Sequence, residues 1–146
     1  SVKTVYSVGA TPLKATQSIS PLHILLAEDD LSNQLVASHL LKNQGHTVVC
    51  VSTGREAFQA LEREELFDLV LMDVQMPEMD GVETTRKIRK ETRFHDLPII
   101  ALTAHAMDGD KELFLEAGMD DYLSKPIEIE ELEQVIARRM RKKGRI

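Results

Sequence analysis

Four places in this 146-residue sequence put reactive side chains directly after short apolar runs. Glu28-Asp29-Asp30 follows Leu22–Ala27, Asp73 follows Leu69–Met72, Thr103 follows Leu97–Leu102, and Ser124-Lys125-Pro126 follows Asp121–Leu123. The plainest role for the acid run is a helix N-terminus, where carboxylates cap free N–H groups and complement the dipole. That role suits Asp30. For Glu28 and Asp29 it competes with a second, because adjacent carboxylates are hard oxygen donors of the kind Mg²⁺ takes. If Asp73 comes within about 4–6 Å of them, each like-charge pair costs about 3–4 kcal/mol at an effective dielectric near 20. Cations must then join the cluster, and Lys125 with a divalent ion would balance it. Asp73 taken singly is a cap for the turn Gln75-Met76-Pro77. Taken with the acids, Thr103 and Lys125, it is a nucleophile for a phosphoryl group, since cations beside it neutralise the incoming oxygens. An aspartyl phosphate adds about −1.5 to −2 charges and three acceptor oxygens, which Lys125 and the Thr103 hydroxyl would bind.

Elements that bring these groups together are legible from two periods. The runs Leu22–Ala27, Thr47–Val51, Leu69–Met72, Leu97–Leu102 and Asp121–Leu123 are too short for helices and read as five strands, the first four buried on both faces. Between them lie helical patterns: Val36 and Leu40 before Gly45; Ala57, Phe58 and Leu61 after Gly54; Val82, Thr85 and Ile88 after Asp80-Gly81. Leu113, Phe114 and Ala117 precede Gly118, and Leu132, Val135, Ile136 and Met140 mark a last helix. Strict alternation demands crossover connections, hence an α/β fold: a doubly wound parallel sheet of five βα units in the flavodoxin-like order 2-1-3-4-5. Ligands of such sheets bind beyond the carboxyl ends of the strands, where all the reactive groups fall.

Composition narrows the function classes. Hydrophobic residues are 42% and charged residues 29%, a globular mixture, while the absence of Trp and 4% aromatics leave little for stacking on single-stranded nucleic acid. The net charge of −6 conceals a body, residues 21–137, that carries −14, against +2 in residues 1–20 and +6 in residues 138–146. An acidic body repels phosphate backbones and attracts divalent cations and basic partners. The terminal bases read as a solvated helix end. Cys50 alone makes no intrachain disulfide and reads as a small buried hydrophobe in a reducing, cytoplasmic setting. No run approaches the ~18–20 apolar residues of a membrane span. Residues 1–20 read as a linker, 21–141 as the domain and 142–146 as a basic tail, and the opening Ser suggests a piece of a longer protein.

The segments LLAEDD, LVLMDVQMPEMDG, PIIALTA and GMDDYLSKP together resemble the receiver domain of two-component response regulators, over roughly residues 22–141. The resemblance implies that Asp73 is the phosphoacceptor, with Asp29 and Asp73 as side-chain ligands of Mg²⁺ or Mn²⁺. It further implies that Gln75 is a ligand through its backbone carbonyl and that Glu28 acts on the metal through water. Thr103 and Lys125 become the phosphate-sensing pair, Tyr122 the switch aromatic, Ala104 a small residue that keeps the site open, and Lys125-Pro126 a cis peptide. The segments ALTAHAMDGD (Ala101–Asp110) and AGMDDYLSKPI (Ala117–Ile127) resemble receivers attached to hybrid sensor histidine kinases. Expected partners are therefore a histidine kinase or histidine phosphotransfer domain, and small phosphodonors such as acetyl phosphate, with no nucleic acid and no direct membrane contact, although the parent protein could be anchored in the inner membrane. Such a module catalyses its own phosphotransfer and dephosphorylation without being a turnover enzyme alone. Alternatives are a Mg²⁺-dependent aspartate-nucleophile phosphatase, which would want an acid where Gln75 stands, a flavin mononucleotide binder, which the acidic run after the first strand would repel, and a pseudo-receiver that only docks.

Overall fold

In the computed structural model, which describes residues 20–63, 66–76, 79–104 and 108–142, the chain alternates strand and helix throughout. The strands are β1 (His23–Ala27), β2 (Thr47–Val51), β3 (Leu69–Asp73), β4 (Ile99–Thr103) and β5 (Asp121–Ser124). The helices are α1 (Leu31–Asn43), α2 (Gly54–Glu62), α3 (Gly81–Arg89), α4 (Asp108–Ala117) and α5 (Ile129–Lys142), with a 3₁₀ turn at Thr92–Phe94. All strand pairs are parallel and the order is β2-β1-β3-β4-β5. The fold is thus the doubly wound α/β sheet that the alternation requires. Residues 1–19 and 143–146, read above as linker and basic tail, lie outside the described residues, as do 64–65, 77–78 and 105–107.

The central strands are apolar on both faces because each face has its own helical layer. Ile24, Leu26, Leu69, Leu71, Ile100 and Leu102 join Leu41 of α1 and Leu132, Ile136 and Met140 of α5 on one side. The intervening residues Leu25, Val70, Met72, Ile99 and Ala101 join Ala57 and Leu61 of α2, Ile88 of α3 and Phe114 of α4 on the other. Side chains that alternate along a strand therefore all find apolar partners, and burying each is worth about 1.5–3 kcal/mol.

Four expectations are corrected here, for β2, Cys50, Val36 and Leu113. β2 is not buried on both faces: the strand order places it at the sheet edge, its residues are exposed or half-buried, and Cys50 is exposed. On α1, Val36 does not face the core but is 52% exposed, and the buried residues are Ala37, Ser38 and Leu41, with Leu40 half-buried against the same cluster. This helix holds more apolar residues than one face accommodates, so its 3.6 period fits two registers. The small side chains of Ala37 and Ser38 let the backbone approach the sheet, and Leu31, Leu35 and Val36 are left outside. Leu113 likewise is exposed while Phe114 and Ala117 are buried. α1 ends at Asn43 with Gln44 as its C-cap, after which Gly45 takes φ 95°, a left-handed conformation that costs glycine little. Among the described residues no helix is long and apolar enough to cross a membrane.

Candidate functional site

Backbone continuations of the sheet carry the reactive residues to one rim. Glu28 N–H donates to Val51 O at 3.0 Å, extending the β1–β2 pairing past Ala27. Asp30 then turns the chain into α1, its Oδ1 accepting from Asn33 N at 3.0 Å, which is the capping role read for it. Glu28 Oε2 accepts from Asp30 N at 3.0 Å and so braces the same turn. Asp73 is the last residue of β3 and pairs with Leu102, so Thr103 stands one step further on the adjacent strand. Lys125 N–H donates to Thr103 O at 2.8 Å, which sets Lys125 beside that residue at the same rim. Behind Asp73 the start of α3 comes so close that a Cβ on Gly81 would lie 2.2 Å from Asp73 O. Only a residue without a side chain fits there.

Oxygen atoms of Glu28, Asp29 and Asp73 all lie within 4.8 Å of one another. Glu28 and Asp73 are buried, at 2% and 1% exposure, while Asp29 is exposed. The Lys125 ammonium sits 3.2 Å from both Glu28 Oε1 and Asp73 Oδ2. The other Asp73 oxygen, Oδ1, accepts from Gln75 N at 3.0 Å, so Asp73 also caps its own turn. Burial pushes the Asp73 carboxyl up to about 6; the Gln75 N–H opposes this, neighbouring Glu28 adds to it, and Lys125 opposes it in turn. Burial works against the Lys125 ammonium, but Asp73 and Glu28 outweigh it and hold the group above its ordinary value. Three clustered carboxylates with one ammonium beside two of them leave an excess of negative charge. A small hard cation fits the donor set that the Glu28, Asp29 and Asp73 oxygens make.

The remaining candidates belong to β4, β5 and the residues that follow them. Thr103 is buried at 4% exposure and Ala104 beside it is exposed. Lys125-Pro126 is cis. Tyr122 is half-buried on β5, its ring 5.9 Å from the Lys111 ammonium, and lines a hollow of about 530 Å³ between α4 and α5 with Leu115, Glu131 and Arg138. Sequence reasoning passed over Gln34, whose side-chain nitrogen lies 2.5 Å from Glu28 O and 3.3 Å from both Val51 O and Ser52 Oγ. Its signal was its helical position, one turn ahead of Ala37 and Ser38 on the face that turns toward the sheet.

Comparison with known proteins bears on the family and the fold. The family model of the response regulator receiver domain matches residues 24–137. Sensor protein GacS of Pseudomonas syringae pv. syringae is 48% identical over 116 residues, covering 77% of this chain, and hybrid signal transduction histidine kinase I of Dictyostelium discoideum is 40% identical over 136 residues, covering 89%. The chain spans 13% and 8% of the length of these two relatives. Among solved structures, the receiver domain of sensor histidine kinase PA1611 from Pseudomonas aeruginosa PAO1, described with a magnesium ion coordinated in its active site cleft, is 42% identical. It superposes with a TM-score of 0.75, covering 82% of this chain and 97% of the other. Chemotaxis protein CheY4 of Vibrio cholerae is 29% identical at a TM-score of 0.75, covering 82% and 98%. By the family match over most of its length and by these likenesses, the chain belongs to the response regulator receiver domains of two-component signalling.

Proposed function

We propose that this domain is the phosphoacceptor of a cytoplasmic phosphorelay, taking a phosphoryl group from a phosphohistidine onto Asp73. The observation that carries the reading is the gathering of Asp73, Glu28 and Asp29 oxygens within 4.8 Å of one another, with the Lys125 ammonium 3.2 Å from the first two. An Asp73 carboxyl with a pKa of about 6 is mostly ionised at neutral pH and retains a lone pair for attack. Its carboxylate oxygen forms the new bond to phosphorus as the P–N bond to the imidazole breaks; the imidazole leaves with that electron pair and regains a proton from solvent. Asp29, Asp73 and the Gln75 carbonyl would hold Mg²⁺, with Glu28 acting through water, and the ion when bound would neutralise charge on the phosphoryl oxygens. Lys125 stays at the site and, with the Thr103 hydroxyl, binds the new oxygens. Water later cleaves the acyl phosphate.

The added charge would bias an existing equilibrium in which Thr103 moves toward the phosphoryl group and Tyr122 repacks into the space it leaves. Moving a population from 1:99 to 99:1 needs about 5.5 kcal/mol, within reach of a few charge-assisted hydrogen bonds at ~1.5–3 kcal/mol each. The relatives named sensor and hybrid histidine kinases support a parent of that kind, with the donor histidine in the same kinase or in a phosphotransfer domain. The exposed row Leu31, Leu35 and Val36, running from the acid run along α1, supports docking of that donor over the rim. Incubation with acetyl phosphate and Mg²⁺ tests the reading: the mass of one phosphoryl group appears and maps to Asp73. Labelling of Asp73→Asn to the wild-type extent sinks it.

A further inference from the structure

We infer that Gln34 is a positioning residue for the carboxylate pocket: its side-chain amide ties the Glu28–Asp29 peptide to the end of β2 and thereby holds Asp29 in reach of Asp73. The inference rests on the reading of that pocket as a divalent-cation site and adds a residue of α1 that acts on it from behind.

Gln34 is an ordinary helical residue in its backbone, its N–H donating to Asp30 O at 2.9 Å. Its side chain has no need of the strand ends to satisfy α1, yet its nitrogen lies against three oxygens there: Glu28 O at 2.5 Å, Val51 O at 3.3 Å and Ser52 Oγ at 3.3 Å. Two of these are carbonyl oxygens, which accept and never donate. The amide must therefore present its NH₂ group, since the opposite orientation would face oxygen to oxygen. Its two hydrogens bridge β1 and β2 where the ladder stops.

The Glu28 carbonyl is half of a planar peptide unit whose other half is the Asp29 N–H. Fixing that carbonyl sets the direction in which Asp29 leaves the strand. This matters more for Asp29 than for its neighbours. Glu28 and Asp73 each have the Lys125 ammonium at 3.2 Å, and Glu28 also braces Asp30 N. Asp29 is exposed and has no hydrogen-bond or ion-pair partner among the described residues, so its backbone alone keeps it near two other carboxylates. Repulsion among three acids within 4.8 Å drives it outward, and the amide bridge opposes that movement. Partners of this kind, one step removed from a cation, typically change metal affinity 10- to 100-fold when replaced.

Gln34→Met keeps the volume and removes the donors, and Gln34→Asn keeps the amide but shortens its reach by one methylene. Titration calorimetry with Mg²⁺ on the wild type, both variants, Asp29→Asn and the two double variants tests the inference. Each Gln34 variant should bind Mg²⁺ roughly 10-fold more weakly. Its unfolding midpoint should fall less without metal than in saturating Mg²⁺. In the Asp29→Asn background the same substitutions should change Mg²⁺ affinity by less than about twofold, because the residue they act through is gone. Wild-type affinity in both Gln34 variants, or an equal loss with and without Asp29, overturns the inference and leaves the pocket reading intact. Failure of the wild type itself to bind Mg²⁺ overturns the pocket reading and the inference with it. Should Gln34→Met fail to fold, Gln34→Asn decides between these outcomes alone.

Discussion

Lys125 is the residue on which the pocket's charge balance turns. Its ammonium reaches both buried carboxylates at 3.2 Å, and its own side chain is 18% exposed. Lys125→Met would leave Glu28 and Asp73 facing each other without it. Removing one partner of a buried ion pair costs several kcal/mol, here reduced by water at the rim to about 1–3 kcal/mol of stability without metal. The same substitution should tighten Mg²⁺ binding, because a competing positive charge has gone, while slowing phosphate uptake from acetyl phosphate. Urea unfolding with and without Mg²⁺ checks the first two effects: a variant equally destabilised in both conditions would refute the charge argument. Glu28, Asp73 and Lys125, which the structure brings together, were legible in the sequence because each stands where an apolar run stops. The bridging Gln34 was not, since one glutamine in a polar helical turn carries no local mark of what its side chain meets.

At the scale of elements, α1 and α3 position the rim from opposite sides. α3 starts at Gly81 against the carbonyl of Asp73, and a Cβ there would stand 2.2 Å from that oxygen. Gly81→Ala must therefore move either α3 or the end of β3, and should cost about 2–4 kcal/mol together with most of the Mg²⁺-dependent phosphate uptake. Thermal unfolding and acetyl phosphate labelling measure both; wild-type values for both would contradict the packing. α1 matters through what it leaves uncovered. The apolar count of this helix was plain, but the choice between the Val36/Leu40 and Ala37/Leu41 faces was not, because close packing of small residues settles it and periodicity does not. The same limit hid the exposure of Cys50, since a strand's depth depends on its place in the sheet and not on its own five residues. Given the exposure of Leu31, Leu35 and Val36 beside the rim, Leu35→Glu should slow transfer from a histidine phosphotransfer domain at least about fivefold while leaving acetyl phosphate labelling unchanged. Equal loss with both donors would place the defect in the site and not in docking.

For the whole molecule, two buried titratable groups on opposite ends of the sheet give stability opposing dependences on pH. Asp73, at the carboxyl ends of the strands, has its carboxyl raised from 3.8 to about 6. The folded state thus holds that proton more tightly than the unfolded chain, so stability falls as pH rises through this window. The cost is absent below 3.8, complete above about 6, and at most about 3 kcal/mol. His46, at the other end, is buried with its Nδ1 accepting the Leu22 N–H at 3.0 Å. Burial holds it below its ordinary 6.5, with Asp68 partly offsetting the effect. Here the folded state takes up the proton less readily, so the contribution is complete above 6.5 and lost as pH falls below it. Just below about pH 6 the two slopes oppose each other. Denaturant unfolding of metal-free protein across pH 5–8 should give a shallow wild-type curve. Asp73→Asn should be more stable than wild type at pH 7 and lose that advantage toward pH 5. His46→Gln, whose side-chain carbonyl can still accept from Leu22, should instead gain stability on acidification relative to wild type. Parallel curves for the wild type and Asp73→Asn would show that the pocket does not hold Asp73 in a raised state, and would remove the electrostatic reason for it to recruit a cation.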